Sequence, residues 1–457
     1  MSKLIGGKVI GTGAYGCVFK PQMECTDDAP MPSPDAVSKL MLNRYADAEL
    51  DEFKAVARAD PTQTMHLGTP TKCDVKNNDE NQIAFSGCKA LQKPGPIYPD
   101  DYALLIMKDG GQDITDFAHA VYGWDITDEN KNKIELFWLE VSRLFYGLKV
   151  FEGAGDGAGL IHRDINQNNI VYNINTNRLN FIDFGFMTRK DYFKYAANSN
   201  EINNQSGWSR PWETSQLNTS EFNKITFDNA EYKYAALPVN LRPKTYDYFF
   251  WSIMPLKSSY DELNEMNRNM SAAYYKMKEK HENSDRDRFL DKSVDTIDSY
   301  GVGLALLYAL TRSGKFLEPD LYGKLNVLFT NMINPYIYDR YDVDRLIAEY
   351  RRIMEGSGLL EKHNKHYDDN FLLVNNAVEV PPPVDGEELL QTPIMPPPEP
   401  KTVVPEPIEP ASGLPGGRYR PRSRKSSKMS KTKRSGKSSK NMRSRKANKA
   451  KRSNKKH

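Results

Sequence analysis

The stretch from Ile161 to Gly185 constrains this chain more than any other part of it. It holds two short strand-like pieces, Asn169–Asn173 and Leu179–Asp183, each bordered by polar residues of unusual type. Ahead of the first runs Ile161-His162-Arg163-Asp164-Ile165-Asn166-Gln167-Asn168-Asn169, and the second runs into Asp183-Phe184-Gly185. An Asp and an Asn five residues apart on one loop can do different work. The carboxylate of Asp164 can orient and deprotonate a hydroxyl, while the amide oxygen of Asn169 can bind a hard cation. Asp183, nineteen residues after Asp164, supplies the kind of carboxylate that Mg²⁺ takes beside phosphates.

The first hundred residues read mostly as strands. Lys8–Lys20 alternates and is interrupted by glycines, which predicts two strands and a turn. That turn, Ile10-Gly11-Thr12-Gly13-Ala14-Tyr15-Gly16-Cys17-Val18, lets backbone N–H groups approach phosphates with no Cβ in the way. Alone the signal is equally that of a tight turn. Its position between strands, rather than before a helix, argues against a dinucleotide-binding fingerprint. Ala36–Met41 predicts another strand and carries Lys39 near its end. A charge entering a core needs a partner, unless that strand end is solvated. The following helix, Tyr45–Ala59, offers Glu52 as the expected partner and Glu49, one turn away, as the alternative.

Helices dominate after the strand Tyr102–Met107. Ile134, Phe137, Trp138, Val141, Leu144, Phe145 and Leu148 follow helical spacing and predict one amphipathic helix, closed by four glycines between Gly153 and Gly159. Further helices are expected at 258–281, 296–310 and 343–354. The longest apolar run, Gly301–Leu310, is far short of the roughly 20 residues that span a bilayer and reads as a buried helix. No membrane insertion is expected. Cys17, Cys25, Cys73 and Cys88 show neither a CxxC pair nor zinc-like spacing, and no apolar signal region opens the chain. Reduced thiols in an intracellular protein, cytoplasmic or nuclear, are the expectation.

The loop, Lys39, the His162-Arg163-Asp164…Asn169 segment and Asp183-Phe184-Gly185, taken in order, resemble the eukaryotic-type protein kinase superfamily. Asp298-Ser-Tyr-Gly301-Val-Gly303 looks like the start of that family's buried central helix, whose aspartate receives backbone N–H groups of the catalytic loop. Asn334-Pro335…Arg340 looks like the end of its fold. The similarity spans about residues 5–355, and the divergent spacings and basic tail resemble kinases of large DNA viruses, for which virion association is a possible setting. The resemblance implies an α+β, two-lobed fold: a β-rich lobe over residues 1–108 and a helical lobe over 109–360, with an insertion around 214–295. It implies ATP and Mg²⁺ as cofactors. The loop residues Ile10 to Val18 would cover the phosphates, Lys39 with Glu52 would hold them, and the 107–111 linker would face adenine. Asn169 and Asp183 would bind metal, and Asp164 would act as base toward Ser or Thr hydroxyls of protein substrates. A pseudokinase scaffold is the alternative reading of the same fold.

Three places depart from the pattern or leave it open. Asn166 stands where Ser/Thr kinases of this family carry a phosphate-contacting lysine. Lys108 occupies a linker position where an acidic residue is common. Arg210-Pro211-Trp212-Glu213 is the favoured end of the activation segment, pairing Glu213 with Arg340, with 237–243 as the other candidate. His162 reads as a packed structural histidine, and Arg163 as either a phosphate ligand or one half of an ion pair.

Past residue 376 the composition changes. Residues 381–415 contain twelve prolines and form an expected extended linker, 376–417. From Arg418 to His457 there are 19 Lys/Arg and no acidic residue, so the net charge of +3 hides about −16 on residues 1–417. Such a tail suits sequence-independent binding to nucleic acid or another polyanion, since Tyr419 is its one aromatic residue. Deleting 418–457 should leave peptide phosphorylation intact and lower retention on DNA or RNA at low salt. Equal retention by the truncated chain would refute the tail's role.

Overall fold

Strands β1 (Lys8–Thr12) and β2 (Gly16–Lys20) pair antiparallel across the glycine turn, with Gly11 opposite Val18 and Thr12 opposite Cys17. The computed structural model describes residues 7–13, 15–26, 35–91, 101–202, 286–334 and 336–376, together with Arg210, Pro211, Glu213, Thr214, Leu217, Asn218, Thr219 and Phe222. Ala14, the expected helix at 258–281, most of the 214–295 insertion, the 237–243 candidate and all of the chain after 376 lie outside the described residues. Strands β3 (Ala36–Leu42), β4 (Thr71–Asp74) and β5 (Tyr102–Lys108) complete a five-stranded sheet in the order β1-β2-β3-β5-β4, with every neighbouring pair antiparallel. Close approach explains one of its glycines. A Cβ on Gly16 would stand 2.1 Å from the carbonyl oxygen of Leu40.

Two helices flank the sheet. Helix α1 (Asn43–Ala59) follows β3 with no intervening loop, and α2 (Asp79–Gly87) is capped by Asn78, whose side chain accepts from the Asn81 N–H. Phe19, Phe85, Tyr102 and Leu104 close an apolar layer between α2 and the sheet. Two disulfides, Cys17–Cys88 and Cys25–Cys73, cross this layer, so the four cysteines are paired rather than reduced. Spacings of 71 and 48 residues carry no local signal of pairing, which only the folded sheet brings about. The pairing also removes the thiol argument for a reducing compartment.

Helices supply most of the remainder, giving a mixed α/β protein with a sheet-forming N-terminal region and helices after it. A short sheet of β6 (Gln112–Asp113), β8 (Ile170–Asn173) and β9 (Arg178–Phe181) lies among α3 (Ile114–Tyr122), α4 (Asp128–Glu140) and α5 (Ser142–Gly153). Strand β7 (Leu160–Ile161) pairs with β10 (Thr188–Arg189), which leads into α6 (Lys190–Asn198). The amphipathic helix expected through Ile134–Leu148 is in fact two, α4 and α5, broken at Val141. There the Leu144 N–H reaches back only three residues, to the Val141 carbonyl.

The central helix α7 (Arg286–Ser313) begins ten residues before its expected start at Thr296. Its first turns alternate charged and apolar residues, and Phe289, Leu290 and Val294 bury against Phe193, Leu217 and Phe222. From Thr296 to Leu310 every residue is buried, as the apolar run predicted. Among the described residues, no helix is long and apolar enough to cross a membrane. Helices α8 (Pro319–Met332), α9 (Val343–Glu355) and α10 (Leu359–Lys362) close the core. Beyond residue 360, where the sequence placed the end of the helical part, a hairpin of β11 (Lys365–Tyr367) and β12 (Leu373–Asn375) adds Tyr367 and Phe371 to that core. Lys362 and His363 anchor it, with Nζ at 2.5 Å and Nε2 at 2.7 Å from the buried carboxylate of Glu135.

Glu213 and Arg340, 127 residues apart, meet in a fully buried ion pair, and Arg340 Nε donates to the Asn334 carbonyl at 2.7 Å. Burial makes such a pair costly to break by halves, because the remaining charge is stranded. Arg340→Leu or Glu213→Leu alone should each cost about 3–5 kcal/mol in urea unfolding. The double variant should recover a large part of that loss, and additive losses would show that the two charges are not coupled.

Candidate functional site

The loop between β7 and β8 is held from beneath by one carboxylate. Asp298, buried in α7, accepts the backbone N–H groups of His162 at 2.7 Å and Arg163 at 2.8 Å. Burial pushes this carboxyl upward, and the two N–H donors with His162 work against that push. The two bonds fix Arg163 at φ +68°, in the left-handed region that costs a non-glycine residue of order 1–3 kcal/mol. One turn along α7, Gly301 lets the loop come close. A Cβ there would lie 2.3 Å from the Ile165 carbonyl oxygen.

So held, the loop folds back on Asp164. The Asn169 side-chain amide donates to the Asp164 carbonyl at 2.8 Å and to its carboxylate at 3.2 Å, which turns the Asn169 Oδ1 the other way. Asn166 is bound on both sides, donating to the Asp164 carbonyl at 2.9 Å and accepting the Asn168 N–H at 2.8 Å. It is a staple of the loop. The Ile182 N–H donates to the Asn169 carbonyl at 3.0 Å, so Asp183 follows directly from a residue bonded to Asn169. Asp183 itself sits at φ +59°, a conformation that Asp tolerates better than most residues.

Behind these polar groups stands a column of rings. His162 is fully buried, donates from Nε2 to the Ile182 carbonyl at 3.1 Å, and lies tilted against Phe184 with ring centroids 5.1 Å apart. Phe184 in turn meets Phe53 of α1 edge-on at 5.3 Å, and His66 at 6.4 Å. His66 is enclosed as well, and burial holds its imidazole below the ordinary histidine value despite the Asp60 carbonyl and carboxylate beside it. Nothing in the local pattern marks His66, which lies in turn-rich chain between α1 and β4. Arg163 donates to the Phe186 carbonyl at 3.5 Å and lies over the Phe193 ring. Burial and the neighbouring Arg210 lower its pKa to about 10.

On the sheet side, Lys39 is bonded to Glu49 at 2.6 and 2.8 Å, not to Glu52 as expected. The two glutamates are three residues apart on α1, and the loopless junction Leu42/Asn43 fixes the helix phase so that Glu49 faces β3. Burial works against the Lys39 charge, but Glu49, Asp183 and Glu52 outweigh it and raise its pKa. Glu52 turns instead toward Asp183. A Cβ on Gly185 would lie 3.3 Å from Asp183 Oδ1 and 3.6 Å from Glu52 Oε2. Burial, then Glu49 and Asp183, push the Glu52 carboxyl up to about 7.

The glycine turn stands at the open end of this arrangement. Gly13 N–H donates to the Gly16 carbonyl at 2.9 Å, and the exposed Tyr15 ring lies 4.8 Å from Tyr45 at the start of α1. Ile10 is exposed, whereas Cys17 is buried by its disulfide. In the linker, Asp109 is tied to Asp35 through its N–H at 2.8 Å and forms an ion pair with Lys20. Lys108 points outward to Gln63 at 3.3 Å. Asn169 and Asp183 together present an amide oxygen and a carboxylate, the hard donors that suit Mg²⁺ with phosphates. Among the described residues, no cluster of three or more His, Cys, Asp or Glu forms a self-sufficient metal site. No protein-family model matches this chain, and no curated protein matches it either.

A proton on Glu52 stabilises the fold between the ordinary carboxyl value and about pH 7, because the unfolded chain has already released it there. That contribution is full below the ordinary glutamate range and is lost as pH rises through 7. Glu52→Gln should therefore raise the Tm at pH 8 in the absence of nucleotide, with little change at pH 4.5. Equal shifts at both pH values, measured by thermal unfolding, would rule out the carboxyl as their source.

Proposed function

We propose that this chain is an ATP-dependent protein kinase of the eukaryotic type, with a two-lobed kinase fold, that phosphorylates Ser/Thr hydroxyls of proteins. The observation that carries the reading is the bonding of Asp164 to Asn169, and of Asn169 to Ile182 just before Asp183, together with a part-buried Lys39–Glu49 pair. Bound Mg·ATP would supply the transferable phosphoryl group, with the cation neutralising phosphate charge.

The chain's own groups divide the remaining work. Lys39, kept cationic by Glu49, would contact the phosphates, while the glycine turn offers N–H groups above them. Asn169 Oδ1 and the Asp183 carboxylate would hold the metal. Asp164, a quarter exposed, is open to an incoming hydroxyl and would take its proton. The Asn169 amide orients that carboxylate in advance of any substrate. Asp298 and the rings of His162, Phe184 and Phe53 keep the loop at fixed height without touching the reacting atoms.

Purified chain given labelled Mg·ATP with a basic and an acidic protein should incorporate label at Ser or Thr, as read by phosphoamino-acid analysis. Asp164→Asn and Lys39→Met should each lower incorporation by about 10²-fold or more. Undiminished incorporation by Asp164→Asn would remove Asp164 from its role as base, and label bound without transfer would favour a scaffold.

A further inference from the structure

The glycine turn is fixed at its root. Gly16 lies so close to β3 that a Cβ would meet the Leu40 carbonyl, and Cys17 is buried and bonded to Cys88. Toward the tip, Gly13 and Tyr15 are exposed, and the Gly13 N–H donates to the Gly16 carbonyl within the turn itself. Backbone N–H groups bind phosphate oxygens well only when they stand at a set height above them, so the tip needs a hold of its own.

Tyr15 supplies that hold. Its ring stands 4.8 Å from the Tyr45 ring at an interplanar angle of 51°, within the range where aromatic pairs attract. Tyr45 is itself anchored. It packs on Met41, Ala46, Ala103 and Leu105, and the Arg44 guanidinium covers its ring at 4.8 Å and donates to its hydroxyl at 3.3 Å. One ring is therefore built into the strand–helix junction, and the other rides on the turn. Tyr45, Glu49 and Phe53 recur every four residues and so lie along one side of α1. Glu49 bonds Lys39 and Phe53 meets Phe184. The side of the helix that sets the cation and the ring column thus also reaches the turn.

We infer that Tyr15 and Tyr45 are positioning residues for nucleotide binding: their ring contact holds the glycine turn against α1, at the height from which its N–H groups reach phosphate oxygens. The inference rests on the phosphoryl-transfer reading above. The rings act through the turn rather than on the reacting atoms. Their contact contributes binding that is the same before and during transfer. Its loss therefore shows in the affinity for nucleotide and not in the rate of the chemical step.

The test uses the full chain with Tyr45→Leu, Tyr45→Phe, Tyr15→Ala and the double variant Tyr15→Ala/Tyr45→Leu. It measures amide hydrogen exchange across residues 11–17 without nucleotide, the Kd for a non-hydrolysable Mg·ATP analogue, and kcat and KM for transfer to protein. Leucine keeps the apolar packing of Tyr45 and removes its ring face. Tyr45→Leu should speed exchange in the turn and raise both the Kd and the KM for ATP at least about threefold, with kcat within about twofold. Tyr45→Phe, which keeps the ring, should return exchange and affinity to the parent values. The double variant should bind no more weakly than the worse single one, because either loss already breaks the contact. A merely structural Tyr45 would instead lower kcat and Tm together, and Tyr15→Ala would add a loss of its own. Unchanged exchange in Tyr45→Leu overturns the inference, whatever the chain binds. So does a Kd rise below about threefold, or a Tyr45→Phe as weak as Tyr45→Leu. Faster exchange in Tyr45→Leu, where the parent binds no analogue, would overturn the phosphoryl-transfer reading and the role in nucleotide binding, while the ring contact itself stands.

Discussion

Everything at the candidate site hangs from the two N–H bonds that Asp298 accepts from His162 and Arg163. A buried carboxylate with two backbone donors is well satisfied, and the donors belong to residues that could not otherwise hold their backbone conformation. The left-handed turn at Arg163 reverses the chain just before Asp164. Without it the Asp164 carbonyl would not face the Asn166 and Asn169 amides, and the carboxylate would lose its orienting donor. The long helix α7 is thus more than core. It carries the fixed point from which the loop is measured.

The sheet side is organised by a different constraint, the absence of a loop between β3 and α1. Lys39 and Glu49 flank that junction, so the pair is set by backbone geometry before any side chain chooses a rotamer. The helix then delivers Phe53 to the ring column and Glu52 to the neighbourhood of Asp183. One helix therefore couples a cation, an apolar contact and a carboxyl with an elevated pKa to a single phase angle.

Sequence reasoning reached the parts of this arrangement that are local. Asp164, Asn169 and Asp183 lie on one hairpin and its flanks, so their spacing already says that they can meet. Asp298 and the Glu213–Arg340 pair were legible through the resemblance, which assigns that aspartate to the loop's N–H groups and pairs that glutamate with that arginine. The choice between Glu49 and Glu52 was not, since both lie on one face and only the strand–helix junction separates them. The disulfides, the first half of α7 and the hairpin after residue 360 depend on contacts with distant chain. Arg210 entered the sequence reading only as the first residue of the segment ending at Glu213, and its bond to the Arg163 carbonyl exists only once that loop is folded.

The two disulfides are nested, the Cys25–Cys73 link lying inside the ring that Cys17–Cys88 closes. That ring contains Lys39 and Glu49 but none of Asp164, Asn169 and Asp183. In the chain-entropy picture, closing a ring of this size removes of order 4 kcal/mol of freedom from the unfolded state. Half of the candidate site is thus tethered covalently and half only by packing, and a reductant acts directly on the first alone. Heat or denaturant would find the helical half the earlier to loosen under oxidising conditions, with the order open to reversal once the thiols are free.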